Sequence, residues 1–456
     1  MTRLRISIAI AVASVALAVL GGTANAATGG VAYAPDSLIV GFDSGVTAAD
    51  GRGSLRAAGV GDVDPGGPRS AVVQVRGGET LAGATARIAK RPGVKFVKPN
   101  YIARVSDAFV PNDPGKAGVP AGWQQIQWNL IGQFGVNVLP AWGHMRDIGV
   151  EGGRGAVVAV IDTGVAYETI GQYRRSPDLA GVRIKSPYDF VDHDRHANDK
   201  NGHGTHVAST IVEQTNNGIG VTGIAYNATL MPLRALNSAG LGDEMTVARA
   251  IRWAANHGAD ALNLSVEFDV RLNARDLPTI VSAMRYARKK GTLVVAAAGN
   301  QAAREVAYPA RSNYALAVGA TTIHGCIADY SDVGNGLDLV APGGGADSPV
   351  IDARKDSTDR VNCSFTGQPS PVYQMTFGRS LKRFGLPGGY EGTSMATPHV
   401  TAAAAMVVAS GVLGANPTPA AIAERLEATA KDLGFPGFDT RYGFGLVDIG
   451  AAVTAP

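Results

Sequence analysis

No basic tract and no interleaved basic–aromatic run occurs in the 456 residues, and the formal net charge is only +3. Both facts argue against a nucleic-acid partner. Charged residues are few, at 17%, whereas apolar residues reach 45%, so the chain can bury a sizeable core and general disorder is disfavoured. No apolar run after the first 20 residues is long enough to span a bilayer, and internal repeats and low-complexity tracts are absent. Cysteine is nearly missing: only Cys326 and Cys363 occur, and neither lies in a nucleophile motif. The chain also lacks a G-x-S-x-G elbow and an H-E-x-x-H pair, which excludes an ordinary α/β-hydrolase and a zincin.

What is present begins with a leader. Arg3 and Arg5 precede an apolar stretch from Ile6 to Leu20, followed by Gly21, Gly22 and Ala24-Asn25-Ala26. A basic start, a short apolar middle and a small-residue cleavage site predict a secretory signal over residues 1–26 and export of the chain. The alternative is a membrane anchor, but the run is shorter than the ~20 residues a span needs. In an oxidising compartment the two cysteines favour one bridge over two thiols.

Two units follow. Residues 27–105 carry strand-like Ser37–Phe42, Ala71–Val75 and Val94–Val97, a helix-forming stretch Thr80–Lys90, and a Gly/Ala-rich segment that fits neither pattern. They predict a small α+β module. Residues 106–456 alternate continuous apolar runs with helical segments. The runs Ala156–Ile161, Thr229–Ala235, Ala261–Ser265, Thr292–Ala297 and Leu316–Ala320 suit strands buried on both faces of a parallel sheet. Asp243–His257 and Leu277–Lys290 supply connecting helices, which predicts a doubly wound, mostly parallel α/β domain.

Four segments of this second unit set a reactive group beside glycine. An apolar strand ends on Asp162; His203 stands in Asn201-Gly202-His203-Gly204-Thr205-His206; a strand delivers Asn300 in Ala298-Gly299-Asn300. The fourth, Gly392-Thr393-Ser394-Met395-Ala396-Thr397-Pro398-His399, opens an apolar helix that continues to Ser410, with Pro398 expected in its first turn. Acyl transfer needs these types together. A serine hydroxyl is a weak nucleophile until a base takes its proton, and histidine is the base suited to neutral pH. A carboxylate orients the imidazole, while an amide and a helix N-terminus offer donors to an oxyanion. His206 and His399 read as packed helix residues, and His144, His193, His196, His257 and His324 belong to no such pattern.

With the order Asp, His, Ser and all four motifs, the second unit resembles the subtilisin-like serine peptidases from about Pro111 through Tyr442-Gly443-Phe444-Gly445-Leu446-Val447-Asp448. The resemblance implies a serine endopeptidase with Asp162 as orienter, His203 as base, Ser394 as nucleophile and Asn300 as oxyanion donor. It implies protein or peptide substrates and a monomer. The first unit, notably Val94–Tyr101, resembles the family's propeptide. That implies an intramolecular chaperone and inhibitor, removed autocatalytically between Tyr101 and Val110; the other possibility is a permanent N-terminal domain. A non-catalytic scaffold on the same fold would have lost a catalytic residue, and none is missing. A serine–carboxyl peptidase would lack His203.

The resemblance also implies structural calcium. Asn217 would give a side-chain oxygen, Thr215, Ile219 and Val221 their carbonyls, and Asp113 and Asp178 their carboxylates. The alternative is a loop satisfied by its own hydrogen bonds. Asp189, Asp192, Asp194 and Asp199 form a second acidic run, either a further calcium site or a solvated loop. For the substrate cleft the resemblance implies Ser265, Val266, Glu267 and Phe268 on one wall, Ala298, Gly299 and Ala307 around the primary pocket, and Gly240, Leu241 and Gly242 opposite. Here the chain departs from the family, with Glu267, Phe268 and Ala307 standing where subtilisins usually place glycine. Glu267 raises the idea of a preference for basic substrate residues. Gly343–Tyr390 is longer than its family counterpart and contains Cys363.

Overall fold

The computed structural model describes residues 33–57, 60, 63–76, 78–101, 109–348, 363, 369–378 and 380–454. The leader lies outside them, as do residues 102–108 of the expected processing stretch between Tyr101 and Val110. The chain divides into two units, 1–105 and 106–456.

In the first unit the elements are β1 (Tyr33–Phe42), α1 (Ala48–Ala57), β2 (Val63–Gly67), β3 (Ser70–Gln74), α2 (Leu81–Ala89) and β4 (Val94–Tyr101). The strands form one antiparallel sheet in the order β2-β3-β1-β4. Leu38 pairs with Val73 and Val40 with Ala71, so alternate residues share one face and bury against Leu55, Ala84 and Ile88. The Gly/Ala-rich segment turns out to hold α1 and β2. Its glycines hid the helix, since each costs about 1 kcal/mol relative to alanine. Gly51 is nonetheless required in place, because a Cβ there would stand 2.5 Å from the Phe42 ring.

The second unit contains α3 (Val138–Asp147), β5 (Val157–Asp162), β6 (Arg183–Ile184), β7 (Tyr188–Asp189), α4 (His203–Val212), β8 (Thr229–Arg234) and α5 (Glu244–Asn256). It continues with β9 (Ala261–Leu264), α6 (Pro278–Lys289), β10 (Leu293–Ala297), β11 (Leu316–Thr321), β12 (Leu339–Pro342), β13 (Thr376–Phe377) and β14 (Phe384–Gly385). It closes with α7 (Thr393–Ser410), α8 (Pro419–Ala428) and α9 (Ile449–Val453). The main sheet runs β12-β11-β10-β9-β5-β8-β6, with β7 also on β8, and its pairings are parallel. Both faces are covered. Along β5, Val158 and Val160 enter one core with α4 and α7, while Ala159 and Ile161 enter the other with α5 and α6. That double burial is why the strands read as unbroken apolar runs. Asp243 caps α5, accepting from the Thr246 amide at 2.8 Å, a bond worth about 1 kcal/mol.

The strand order reverses at β5, which pairs β8 on one side and β9 on the other. The carboxyl edge of such a sheet leaves a crevice at the reversal point, and Asp162 is the last residue of β5. A disulfide joins Cys326 and Cys363.

Candidate active site

Asp162 is fully buried at the end of β5, and its Oδ1 accepts from Nδ1 of His203, the first residue of α4, at 2.8 Å. The helix can come this close because residue 204 has no side chain. A Cβ there would stand 2.2 Å from the Gly164 carbonyl oxygen and 3.0 Å from Asp162 Cβ. Burial pushes the imidazole pKa down, but the Asp162 charge and hydrogen bond outweigh it, leaving His203 above its ordinary value. Asp199, which motif reading did not single out as part of this arrangement, holds the start of α4. Buried, it accepts from the Gly202 and Thr205 amides, the Thr205 hydroxyl and the Thr163 hydroxyl next to Asp162.

Ser394 is the second residue of α7, which packs against α4, β5 and β9. Its hydroxyl donates to the Ser265 carbonyl at 3.3 Å, while the Ser265 hydroxyl donates to the Ser394 carbonyl at 2.8 Å. The second bond corrects the expectation for Pro398. It lies not in the first turn but at the sixth residue of α7, so its missing N–H leaves the Ser394 carbonyl without its i+4 donor. Ser265 supplies the substitute, and is itself fixed by a run of side-chain bonds through Asn263 to Thr401. Early in a helix the Ser394 N–H has no intrahelical acceptor, and the helix dipole adds positive potential there.

Asn300 follows β10. Its Oδ1 accepts from the Thr393 amide at 2.8 Å and the Thr393 hydroxyl at 3.1 Å, which turns Nδ2 away from α7. The donors on its other side, N–H and Nδ2, both meet the Glu267 carboxylate, at 2.5 and 3.3 Å. The segment of Ser265, Val266, Glu267 and Phe268 is thereby joined to Ala298, Gly299 and Ala307: Phe268 N–H bonds the Tyr308 carbonyl, and Ala307 N–H bonds that of Ala298. Gly240–Gly242 closes a turn on Asn237, with Leu241 68% exposed, and the adjoining Ser238 carbonyl accepts from Asn201. His206 and His399 match their reading as packed helix residues. His206 stacks on Tyr390 and donates from Nε2 to the Val372 carbonyl, its pKa driven by burial to about 3; His399 is held by Asn129 and Met395, at about 4.

With this geometry in place, comparison with known proteins is decisive. A model of the subtilase family matches residues 153–445. The chain belongs to the subtilase family. A second match, to the fervidolysin N-terminal prodomain, covers residues 21–100 of this subtilase. It is 32% identical over 415 residues to the thermophilic serine proteinase of Bacillus sp. (strain AK1), covering 90% of this chain and 86% of that protein. Over 300 residues it is 36% identical to subtilisin Savinase of Lederbergia lenta, covering 66% and 91% of the two chains. Among solved structures, that of proteases from Pseudoalteromonas arctica PAMC 21717 aligns with a TM-score of 0.59 at 29% identity, covering 76% of this chain and 99% of that one. This subtilase is therefore a serine protease on a mostly parallel sheet, and it carries a prodomain of a recognised kind.

All six residues expected at the calcium loop lie together. Asp113 accepts from the Asn216 and Asn217 amides, and Asp178 from Asn217 Nδ2 and the Val221 amide, within the loop that carries Thr215 and Ile219. Among the described residues no three Asp, Glu, His or Cys side chains converge as a metal cluster, so an ion here would rely on amide and carbonyl oxygens. Asp113, Asp178 and the neighbouring Glu213 are fully buried, and Glu213 Oε2 is an orphaned buried atom. Burial pushes Asp178 up to about 7 and raises Asp113. Oxygen donors with uncompensated buried negative charge fit a hard cation. The second acidic run differs. Asp189 and Asp192 both pair with Arg234, at 2.6 and 2.7 Å, and Lys200 also reaches Asp192, while Asp199 is spent on α4. The chain's own cations, Arg234 and Lys200, thus pair with Asp189 and Asp192.

Proposed function

We propose that this subtilase is an exported, self-processing endopeptidase working through Asp162, His203, Ser394 and Asn300. The observation that carries the reading is the 2.8 Å bond from the half-buried His203 to the fully buried Asp162. His203 Nε2 takes the Ser394 proton as the oxygen attacks the scissile carbonyl; Asp162 holds the tautomer with Nε2 unprotonated and stabilises the imidazolium. Asn300 Nδ2 and the Ser394 N–H receive the oxyanion. His203 then protonates the leaving amine, and a water deprotonated by His203 releases the acyl group from Ser394. The Ser394 hydroxyl donates to the Ser265 carbonyl in this structure and would have to leave it to give its proton to the imidazole. A serine-directed phosphonyl fluoride should add its phosphonyl mass to the peptide bearing Ser394 in the mature enzyme. An unmodified Ser394 would overturn the assignment.

The leader motif supports export, and the prodomain match supports residues 27–105 as a propeptide that assists folding and then inhibits. A large parallel sheet depends on non-local contacts and folds slowly, which is the problem such a segment addresses. Calcium would be held by Asp113, Asp178, Asn217 and the Thr215, Ile219 and Val221 carbonyls, supplying structural charge and no chemistry. Chelation is then expected to lower the thermal unfolding midpoint by at least about 5 °C, reversed by added calcium. An unchanged midpoint in excess chelator would remove calcium from this account.

A further inference from the structure

We propose that Glu267 is a resident anion on the oxyanion donor, drawn away by a substrate with arginine or lysine before the scissile bond, so that this peptidase selects cationic side chains there. The inference rests on Asn300 being the oxyanion donor. Thr393 fixes the Asn300 amide from behind, so Nδ2 and the main-chain N–H face the cleft, and both are taken by Glu267 Oε2. A developing oxyanion needs that Nδ2 and cannot share it with a carboxylate without like-charge repulsion. Glu267 must therefore move for every turnover.

A second acid says what moves it. Asp332 is fully buried, its Oδ1 accepts from the Gln301 and Ala303 amides, and its Oδ2 has no partner. That oxygen lies 2.1 Å from where a Gly299 Cβ would stand, so it abuts Gly299, a residue of the expected pocket. Glu267 and Asp332 feel each other's charge, and burial holds both above the usual carboxylate range, Asp332 at about 6. Arg311, whose guanidinium lies over Tyr308, is already committed to Glu305 and to the Leu272 carbonyl. Two carboxylates thus stand beside residues of the expected pocket, Glu267 on Asn300 and Asp332 against Gly299, while Arg311 is already paired. A guanidinium or ammonium entering that pocket gains both charges and frees Asn300; a neutral side chain gains neither.

The test is a pair of peptides differing only in arginine or citrulline before the cleaved bond, of near-equal shape but unequal charge, assayed with enzyme titrated by the phosphonyl reagent. Wild type should show at least about 10-fold higher kcat/KM for arginine. In Glu267→Gln the ratio should fall below about 3, with kcat on the citrulline peptide rising, and Asp332→Asn should lower the ratio part-way. A wild-type ratio near one, or a ratio untouched by Glu267→Gln, overturns the inference. Enzyme that labels at Ser394 but shows no charge preference sinks this inference alone, whereas failure to label sinks the catalytic assignment beneath it. The wild-type pair needs no variant to fold.

Discussion

Ser394→Ala protein is expected to hydrolyse peptides on the order of 10⁶-fold more slowly, the scale known for subtilisin when its nucleophile is removed and borrowed here from that relative. No neighbouring group can replace the lost oxygen. The Ser265 hydroxyl is spent on the residue 394 carbonyl, and the Thr393 hydroxyl is spent on Asn300. The residual rate would come from the oxyanion donors and binding alone. The same substitution should leave the full-length precursor uncut in clean buffer. Precursor that still matured alone would show that another agent performs the processing.

Asp162→Asn should cost about 10⁴-fold in kcat while leaving the fold intact. The asparagine is nearly isosteric, so packing at the end of β5 survives, but it can offer Nδ2 to His203 Nδ1. That selects the tautomer with the proton on Nε2, where it cannot act as base. The pH dependence carries a second signature. The base must be neutral, so activity is lost as pH falls through the His203 pKa. That pKa lies above the ordinary 6.5 because the Asp162 charge and bond outweigh desolvation. The acid limb of kcat/KM for the wild type should therefore sit above 6.5, and in Asp162→Asn it should move down, since burial is then opposed only by the charge of Asp199. An acid limb unmoved by the substitution would assign it to another group.

The elements and residues that were legible in the sequence share a cause. Buried parallel strands must be apolar on both faces, and β5 and β10 end on the single polar residue that faces the crevice, Asp162, or lead straight to one, Asn300. Glycines on either side of His203 mark places where backbone comes close. What stayed hidden depends on tertiary approach. Asp332 reads as one more acid in Tyr330-Ser331-Asp332-Val333, and only the missing Cβ of Gly299 lets its carboxylate come so close to that residue. Asp199 reads as part of an acidic run, whereas its bonds converge on the first turn of α4. Arg234, distant in sequence, neutralises the rest of that run. Pro398 was misplaced because the start of α7 at Thr393 cannot be fixed from pattern to within a residue or two.

The proline-freed carbonyl of Ser394 also bears on how this enzyme can be re-engineered. Because residue 265 is bonded both to the nucleophile and, through Asn263, to a deeper turn of α7, it belongs mechanically to the reacting group rather than to the wall beside it. Of the next three positions, 267 reaches α7 only through Asn300 and Thr393, and 266 and 268 have no such tie among the described bonds. Libraries that vary 266 and 268 can trade one diet for another while the bond-cutting geometry holds. A library that opens position 265 would instead return clones differing in turnover, whatever they are fed.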